Sequence, residues 1–366
     1  MRKIAVLFLI IPILIILSGC DKAKDEAKTI TSFLPSSELY KVRVNGKRGY
    51  IDKTGKIIIT TQFDDGDSFD GDLAAVKIGD KWGYIDKTGR YVINPQFDSA
   101  TRFSESLALV EIGGKWGYID KTGKYVINPQ FEEVDSFSEG LAKVKIGGKW
   151  GYIDKTGKCV INPQFDGMKA LHVDLGPGDF SEGLAKVKIG GKWGYIDKTG
   201  KYVINPQFDG REGDLDLGPG AFSEGLAKVG IGGKWGYIDK TGKYVINPQF
   251  DGREGDLGPG DFSEGLAKVK IGGKWGYIDK TGKYVINLQF DGAGDFSEGL
   301  ATVKIGDKWG YIDKTGKYVI NPQFDGVKAI VDFGPGKFSE GLAMVNIGDK
   351  MGYIDKTGRY VWNPQD

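Results

Sequence analysis

The stretch Gly191–Phe208, GKWGYIDKTGKYVINPQF, recurs with few changes along almost the whole chain, and no other feature constrains the fold as strongly. Its Trp falls at Trp82, Trp116, Trp150, Trp193, Trp235, Trp275 and Trp309, each followed by Gly. Two worn copies flank these seven, with Arg48 and Met351 in the Trp position. A unit this short cannot bury both of its faces alone, so a chain written as nine of them must stack them.

Within the copy Leu184–Phe208, three runs rich in β-formers are divided by two turn signals. Gly190-Gly191 suits a two-residue hairpin turn whose central residues both take positive φ; Gly79-Asp80, Gly306-Asp307 and Asn45-Gly46 stand in its place elsewhere. Asp197-Lys198-Thr199-Gly200 suits a type I turn closed by a left-handed Gly, with the carboxylate accepting a backbone N–H two residues on. The unit therefore reads as a three-stranded antiparallel meander, ended by Asn205-Pro206 because Pro cannot donate to a ladder. These turns place Ile189 opposite Lys192, Val187 opposite Gly194 and Ala185 opposite Ile196. Across the second turn Ile196 faces Tyr202 and Gly194 faces Ile204. One face then carries Ala185, Val187, Ile189, Ile196, Tyr202 and Ile204 as core. The other carries Lys186, Lys188, Trp193, Tyr195, Val203 and Asn205. Gly194 sits amid the core face, where the expected occupant of its space is a Phe or Tyr of the next copy, with a ligand against the backbone as the alternative.

Trp-to-Trp spacing is 34, 34, 43, 42, 40 and 34 residues, and the extra length always falls between two bracketing Phe residues, as in Phe165 to Phe180 and Phe208 to Phe222. The long loops share Leu-Gly-Pro-Gly at Leu175, Leu217 and Leu257, with Phe333-Gly-Pro-Gly as a variant. They emerge on one edge of a stacked array, as neutral spacers or as a binding edge. The bracketing Phe residues read as plugs between neighbours. The fold class is all-β: about nine meanders stacked as an open twisted solenoid or superhelix. Three strands per unit and worn, cap-like ends favour this over a closed propeller-like ring.

Before the array, Arg2 and Lys3 precede an apolar run, Ile4 to Leu17, and then Leu17-Ser18-Gly19-Cys20. The run is short for a span of ~30 Å of hydrocarbon but suits a signal-peptide core. The tetrad resembles the bacterial lipoprotein processing box. That resemblance implies cleavage before Cys20, acyl chains (palmitate among them) on it, and a protein held to the cell membrane facing the periplasm or cell exterior. Loss of Arg2 and Lys3 would take the formal charge from +1 to −1. The chain thus divides into residues 1–19, signal peptide; 20–38, lipidated Cys20 and a polar, flexible tether; and 39–366, the repeat array.

Lys plus Arg is 50 against 49 Asp plus Glu, so net charge gives no case for nucleic acid. A single His and two Cys leave no zinc or haem pattern, and no cofactor is expected. His172 reads as a solvated loop residue, Cys159 as a free thiol on the core face, and Asp214 with Asp216 lacks the other oxygens of a calcium loop. No nucleophile–base–orienter set is visible, and a catalytic site would have to be unique where almost every polar residue recurs. An unrecognised hydrolase would have to rest on the one loop Asp166 to Asp179.

The Lys-Trp-Gly-Tyr-Ile-Asp core followed by Gly-Lys-Tyr-Val-Ile-Asn-Pro-Gln-Phe resembles the WG β-repeat family of bacterial proteins, over roughly Leu39 to Asp366. The resemblance implies a tandem β-repeat without known catalysis, often exported or at the surface. A more distant similarity is to choline- and glucan-binding repeats, although this unit has one Trp and flanking lysines that would repel choline. The expected function is a non-catalytic, membrane-anchored scaffold for an envelope protein or glycan, or else a structural spacer. Its candidate binding face is Trp82, Trp116, Trp150, Trp193, Trp235, Trp275 and Trp309 with Tyr195, Lys186 and Lys188.

Overall fold

The computed structural model describes residues 38–167, 169–170, 173–174, 176–209, 218–252, 258–328, 332–348 and 350–365. Cys20, the tether, His172, Asp214, Asp216 and the leucines at 175, 217 and 257 lie outside the described residues. Every regular element among the described residues is a β-strand, and Leu39–Asp366 forms one compact unit. Copies are numbered 1 to 9 by the residue at the Trp position, from Arg48 to Met351.

Copy 5 shows how the sequence builds the meander. Its strands are Leu184–Ile189, Lys192–Asp197 and Tyr202–Asp209. The first hairpin has the expected register, Ile189 opposite Lys192 through Ala185 opposite Ile196, and Gly190 and Gly191 both take positive φ. In Gly79-Asp80 and Gly306-Asp307 only the glycine is left-handed, so those tips use the II′ rather than the I′ turn. At the second turn Asp197 Oδ1 accepts from the Thr199 amide (2.9 Å), the Thr199 hydroxyl (2.6 Å) and the Lys201 amide (3.1 Å), and Gly200 closes it at φ 86°.

Beyond that turn the expected register fails. Ile196 does face Tyr202, but Ile204 faces Tyr195 and Phe208 faces Trp193. Val203 is an extra residue at one bulge, and Asn205-Pro206-Gln207 span Gly194 at a wider one. Pro206 therefore sits inside the third strand instead of ending it, because a bulge needs no ladder N–H from it. The wide bulge also answers what occupies the space at Gly194. A Cβ there would lie 2.6 Å from the Ile204 carbonyl oxygen and 2.7 Å from the Pro206 nitrogen, so the copy's own backbone fills it. Neither a neighbour's ring nor a ligand is involved.

The slip transfers Ile204 to the other face and makes both faces of the meander apolar. Leu184, Trp193, Tyr195, Ile204 and Phe208 of copy 5, with Phe222, pack on Ala227, Val229, Ile238 and Tyr244 of copy 6. The two Phe plugs are thus buried where expected, and each core cluster belongs to a joint between copies. Ile189, expected in the core, stands at the hairpin tip and is exposed, as is the bulge residue Val203. Cys159 is half-buried, its thiol 3.3 Å from the Ile161 carbonyl oxygen, because the Tyr position it fills lies at the rim of the joint. Three copies gain a short fourth strand ahead of the first, at Asp65–Gly66, Ser99–Ala100 and Gly292–Ala293.

The tandem all-β meander stands; the open arrangement favoured from the sequence does not, and the closed alternative takes its place. Val42 and Ile51 of copy 1 share a buried cluster with Leu342 and Tyr353 of copy 9. The Tyr353 hydroxyl donates to the Lys41 carbonyl (2.9 Å), the Tyr40 hydroxyl donates to the Glu340 carbonyl (2.9 Å), and the two rings meet edge-on at 5.7 Å. The worn ends are therefore mates, each covering the other's apolar face, and the array is a ring of nine joints.

Candidate functional site

The ring uses most of the recurring Trp-Tyr-Lys face internally. Trp150, Trp193, Trp235, Trp275 and Trp309 are buried at the joints; Trp82 and Trp116 are half-buried. Tyr195 is fully buried, and its hydroxyl donates to the Gly220 carbonyl at 2.7 Å. Burial, and next the charge of Asp261, push this phenol well above its ordinary pKa. The face is an interface between copies and not an open platform, because the Ile204 slip turned it into the larger half of each joint.

The lysines line the same joints. Lys186 donates to the Pro219 carbonyl at 2.7 Å and lies 5.6 Å from the Trp193 ring centre; Lys188 lies 5.8 Å from that ring. Nearby joints pair the equivalent lysine with an acid: Lys143 with Asp179 (3.2 Å), Lys228 with Asp261 (3.4 Å) and Lys268 with Asp295 (3.4 Å). At joint 5/6 the corresponding residue is Ala221. Burial, and next the charge of Lys228, lower the Lys186 pKa to about 8.

Three of the long loops are seen to cap these Trp residues. A Cβ on Gly176 would lie 2.8 Å from the Trp150 ring, one on Gly334 2.6 Å from the Trp309 ring, and Gly218 meets Trp193 in the same way. Pro177, Pro219, Pro259 and Pro335 are all buried, and the glycine after each donates to the next copy's first strand, as Gly178 does to the Lys186 carbonyl at 2.9 Å. Bare glycine is needed where the backbone lies on an indole. The Gly-Pro-Gly segments thus do packing work, a use distinct from both spacer and binding edge.

Two kinds of polar staple between copies carry no signal in the chemistry of the Gly-Gly and Asp-Lys-Thr-Gly turns. On the tip edge, Asp98 accepts from Lys81 Nζ of its own copy (2.5 Å) and from the Gly113 amide of the next (2.7 Å); Asp64, Asp291 and Asp325 repeat this. On the opposite edge, Glu224 accepts from the Gly265 amide (3.1 Å) and pairs with Lys280 (3.0 Å), both in the next copy. Glu105, Glu139, Glu182, Glu264 and Glu298 do the same. Each of these glutamates has φ near 50°, an unfavourable conformation for a residue with a Cβ. A strained residue kept in every Ser-Glu-Gly turn was the available signal: an Asn there would suit the turn better, so Glu must serve something else.

What remains outside the joints also recurs. Ile78, Ile112, Ile146, Ile189, Ile231, Ile305 and Ile347 stand 38–50% exposed at the hairpin tips, each opposite the Lys that opens the second strand. Among the described residues no group of His, Cys, Asp and Glu could hold a metal ion.

A family model described as WG containing repeat matches residues 49–82, 82–116, 116–150, 150–172, 178–193, 193–235, 235–275, 275–309 and 309–350. Among solved structures, one titled as the eukaryotic initiation factor is similar at 12% identity and a TM-score of 0.61, over 89% of this chain and 95% of that one. BamB from Moraxella catarrhalis aligns at 13% identity and a TM-score of 0.42, over 77% and 94%. A streptogramin B lyase aligns at 14% identity and a TM-score of 0.35, over 75% and 92%. No curated protein matches. The first similarity is one of fold alone, and the family match spans the array: this chain belongs to the WG-containing repeat family.

Proposed function

We propose that this protein is a lipid-anchored, non-catalytic scaffold of the bacterial cell envelope that binds a protein partner through the hairpin-tip edge of its ring. The observation that carries the reading is the division of labour in the repeat. The recurring Trp, Tyr, Glu and Asp side chains are spent on joints, while an exposed Ile recurs at one tip after another on a single edge. Several weak apolar contacts on a rigid ring gain avidity from simultaneous engagement. The tip lysines are neutralised by the adjacent Asp residues, so shape and apolar contact would select the partner more than charge.

The test uses full-length protein in its own membranes. Cys20→Ser is expected to move the protein to the soluble fraction; membrane retention of that variant would overturn the lipid anchor. Ile112→Lys with Ile146→Lys is expected to remove specific proteins from a crosslinked capture while leaving thermal stability within about 1 kcal/mol, as exposed substitutions do. An unchanged capture, or capture of cell-wall glycan only, would overturn the protein-binding reading.

A further inference from the structure

We propose that the ring opens at one place, the joint between copies 9 and 1, with copy 1 as the moving leaf. Three observations point there. First, among the described residues each sheet is built from one contiguous segment, so no strand crosses this joint and its closure rests on side-chain packing and two tyrosine hydroxyls. Second, the residues that fill the other joints are replaced on this one. Met351 stands for Trp and is half-buried, and Trp362 stands for the buried Ile and is half-buried; Met351 faces Gln365, the counterpart of Gln207, where in other copies Trp faces Phe. Tyr353 keeps 8% exposure where its equivalents in copies 1 to 8 keep 0–1%. On the copy 1 side, Tyr40 replaces the small Ala that lets neighbouring sheets approach, and Ile57 replaces the Tyr and is exposed. Third, copy 1 is also weakly held on its other side. Arg48 stands in the Trp position of joint 1/2, and its cluster of buried residues is smaller than those of joints 2/3 to 8/9.

In a repeat array stability is a sum of unit and nearest-neighbour joint terms, so a ring breaks first at its weakest joint and the remaining joints hold. Opening uncovers Val42 and Ile51 on one side and Leu342 and Tyr353 on the other. These are two unlike apolar faces, shaped for each other and available to a partner only in the open state. This inference does not depend on the binding role proposed for the tips.

Native-state hydrogen exchange on the full-length protein tests it. With the joint parted, copies 1 and 9 are each held by one neighbour only, so amides of the strands Tyr40–Val44, Lys47–Ile51, Leu342–Ile347 and Lys350–Asp355 are expected to exchange through unfolding of those end copies, with amides of copies 4 to 7 exchanging only with global unfolding. Tyr353→Phe removes the hydroxyl that reaches across the joint and nothing else. It should speed exchange in copies 1 and 9 about fivefold, the factor a typical net hydrogen bond amounts to, and leave copies 4 to 6 unchanged. Tyr40→Phe should do the same, whereas Tyr195→Phe, which removes the equivalent interior hydroxyl, should not speed exchange in copy 1. Uniform exchange over all nine copies, or Tyr353→Phe accelerating every copy alike, would overturn the proposal.

Discussion

Replacing Glu105, Glu139, Glu224 and Glu298 together by Gln probes the staples at four joints at once. In each, one carboxylate accepts a glycine amide at 2.9–3.2 Å and meets a turn lysine at 3.0–3.1 Å, both from the following copy. A hydrogen bond to a charged group contributes about 1.5–3 kcal/mol, but these carboxylates are about 30% exposed and the lysines about 45%, so the ion-pair part is at the surface value of about 0.2–1 kcal/mol. Gln keeps an acceptor oxygen and the strained backbone, so only the charge is lost, roughly 1 kcal/mol per joint. No two of the four carboxylates share a glycine or lysine partner, so the losses should add to about 4 kcal/mol. With an unfolding entropy of about 2.1 cal/mol/K per residue, a unit of this size loses about 6 °C in Tm. The pH dependence supplies the control. Burial raises these four pKa values, but the lysine hydrogen bond, the glycine amide and the lysine charge outweigh it and hold each below the ordinary Glu value. A carboxyl depressed in the folded state stabilises fully above its unfolded pKa of about 4.3, and that contribution is lost as pH falls through the folded value. Thermal unfolding followed by Trp fluorescence should show the full gap between wild type and variant at pH 7 and almost none at pH 2 to 3. A gap under 2 °C at pH 7, or one that persists undiminished in acid, would refute the assignment.

Gly194→Ala places a methyl against the Ile204 carbonyl, where the bulge leaves no room, and should cost about 1–3 kcal/mol in a urea midpoint measurement; a change below about 0.5 kcal/mol would mean that the bulge yields. Ala221→Asp adds at joint 5/6 a carboxylate in the position of Asp179, Asp261 and Asp295, and should raise the Lys186 pKa from about 8 toward the ordinary lysine value, as read by NMR titration of its side chain. Between pH 8 and about 10.4 the unfolded wild-type chain binds a proton that folded Lys186 does not, so wild-type stability gains from this group as pH rises; the variant should lack that gain.

The repeat unit was legible because its turns are local. Gly190-Gly191 and Asp197-Lys198-Thr199-Gly200 dictate φ signs and hydrogen bonds within four residues, and the structure has the expected ones. The first hairpin's register followed from its turn. The second did not, because Val203 and Asn205-Pro206-Gln207 are bulges and nothing in the turn announces them. Gly194 was the one residue that could have. A glycine in a central strand means that something approaches its backbone, and the nearest thing was the Pro-bearing strand beside it. One missed bulge turned Ile204 over, and with it the identity of the Trp face. Read as a surface, Trp193 and Tyr195 suggested a binding platform; with Ile204 beside them they form half of a joint.

Closure was illegible for a different reason. Whether a stack of identical joints becomes a rod or a ring depends on the rotation per joint summed over nine copies, and no single repeat contains that sum. The turn glycines bear directly on it. Gly123 packs on Ile93 and Gly200 on Ile161, each a bare backbone seated on the preceding copy's Ile. Such a contact brings neighbouring meanders close at the edge that carries the Asp-Lys-Thr-Gly turns, and any difference in spacing between that edge and the tip edge tilts every copy the same way. At the join of the two ends the equivalent glycine, Gly55, packs instead on the backbone of Val361, so the same contact is made by different atoms. Worn residues of copies 1 and 9 are therefore matched to each other: Tyr40, in place of Ala, meets the Tyr353 ring, and Trp362, in place of Ile, packs on the same cluster. Substitutions such as Tyr40 and Trp362, which read as decay in a list of repeats, are in a ring the complementary halves of its closing joint.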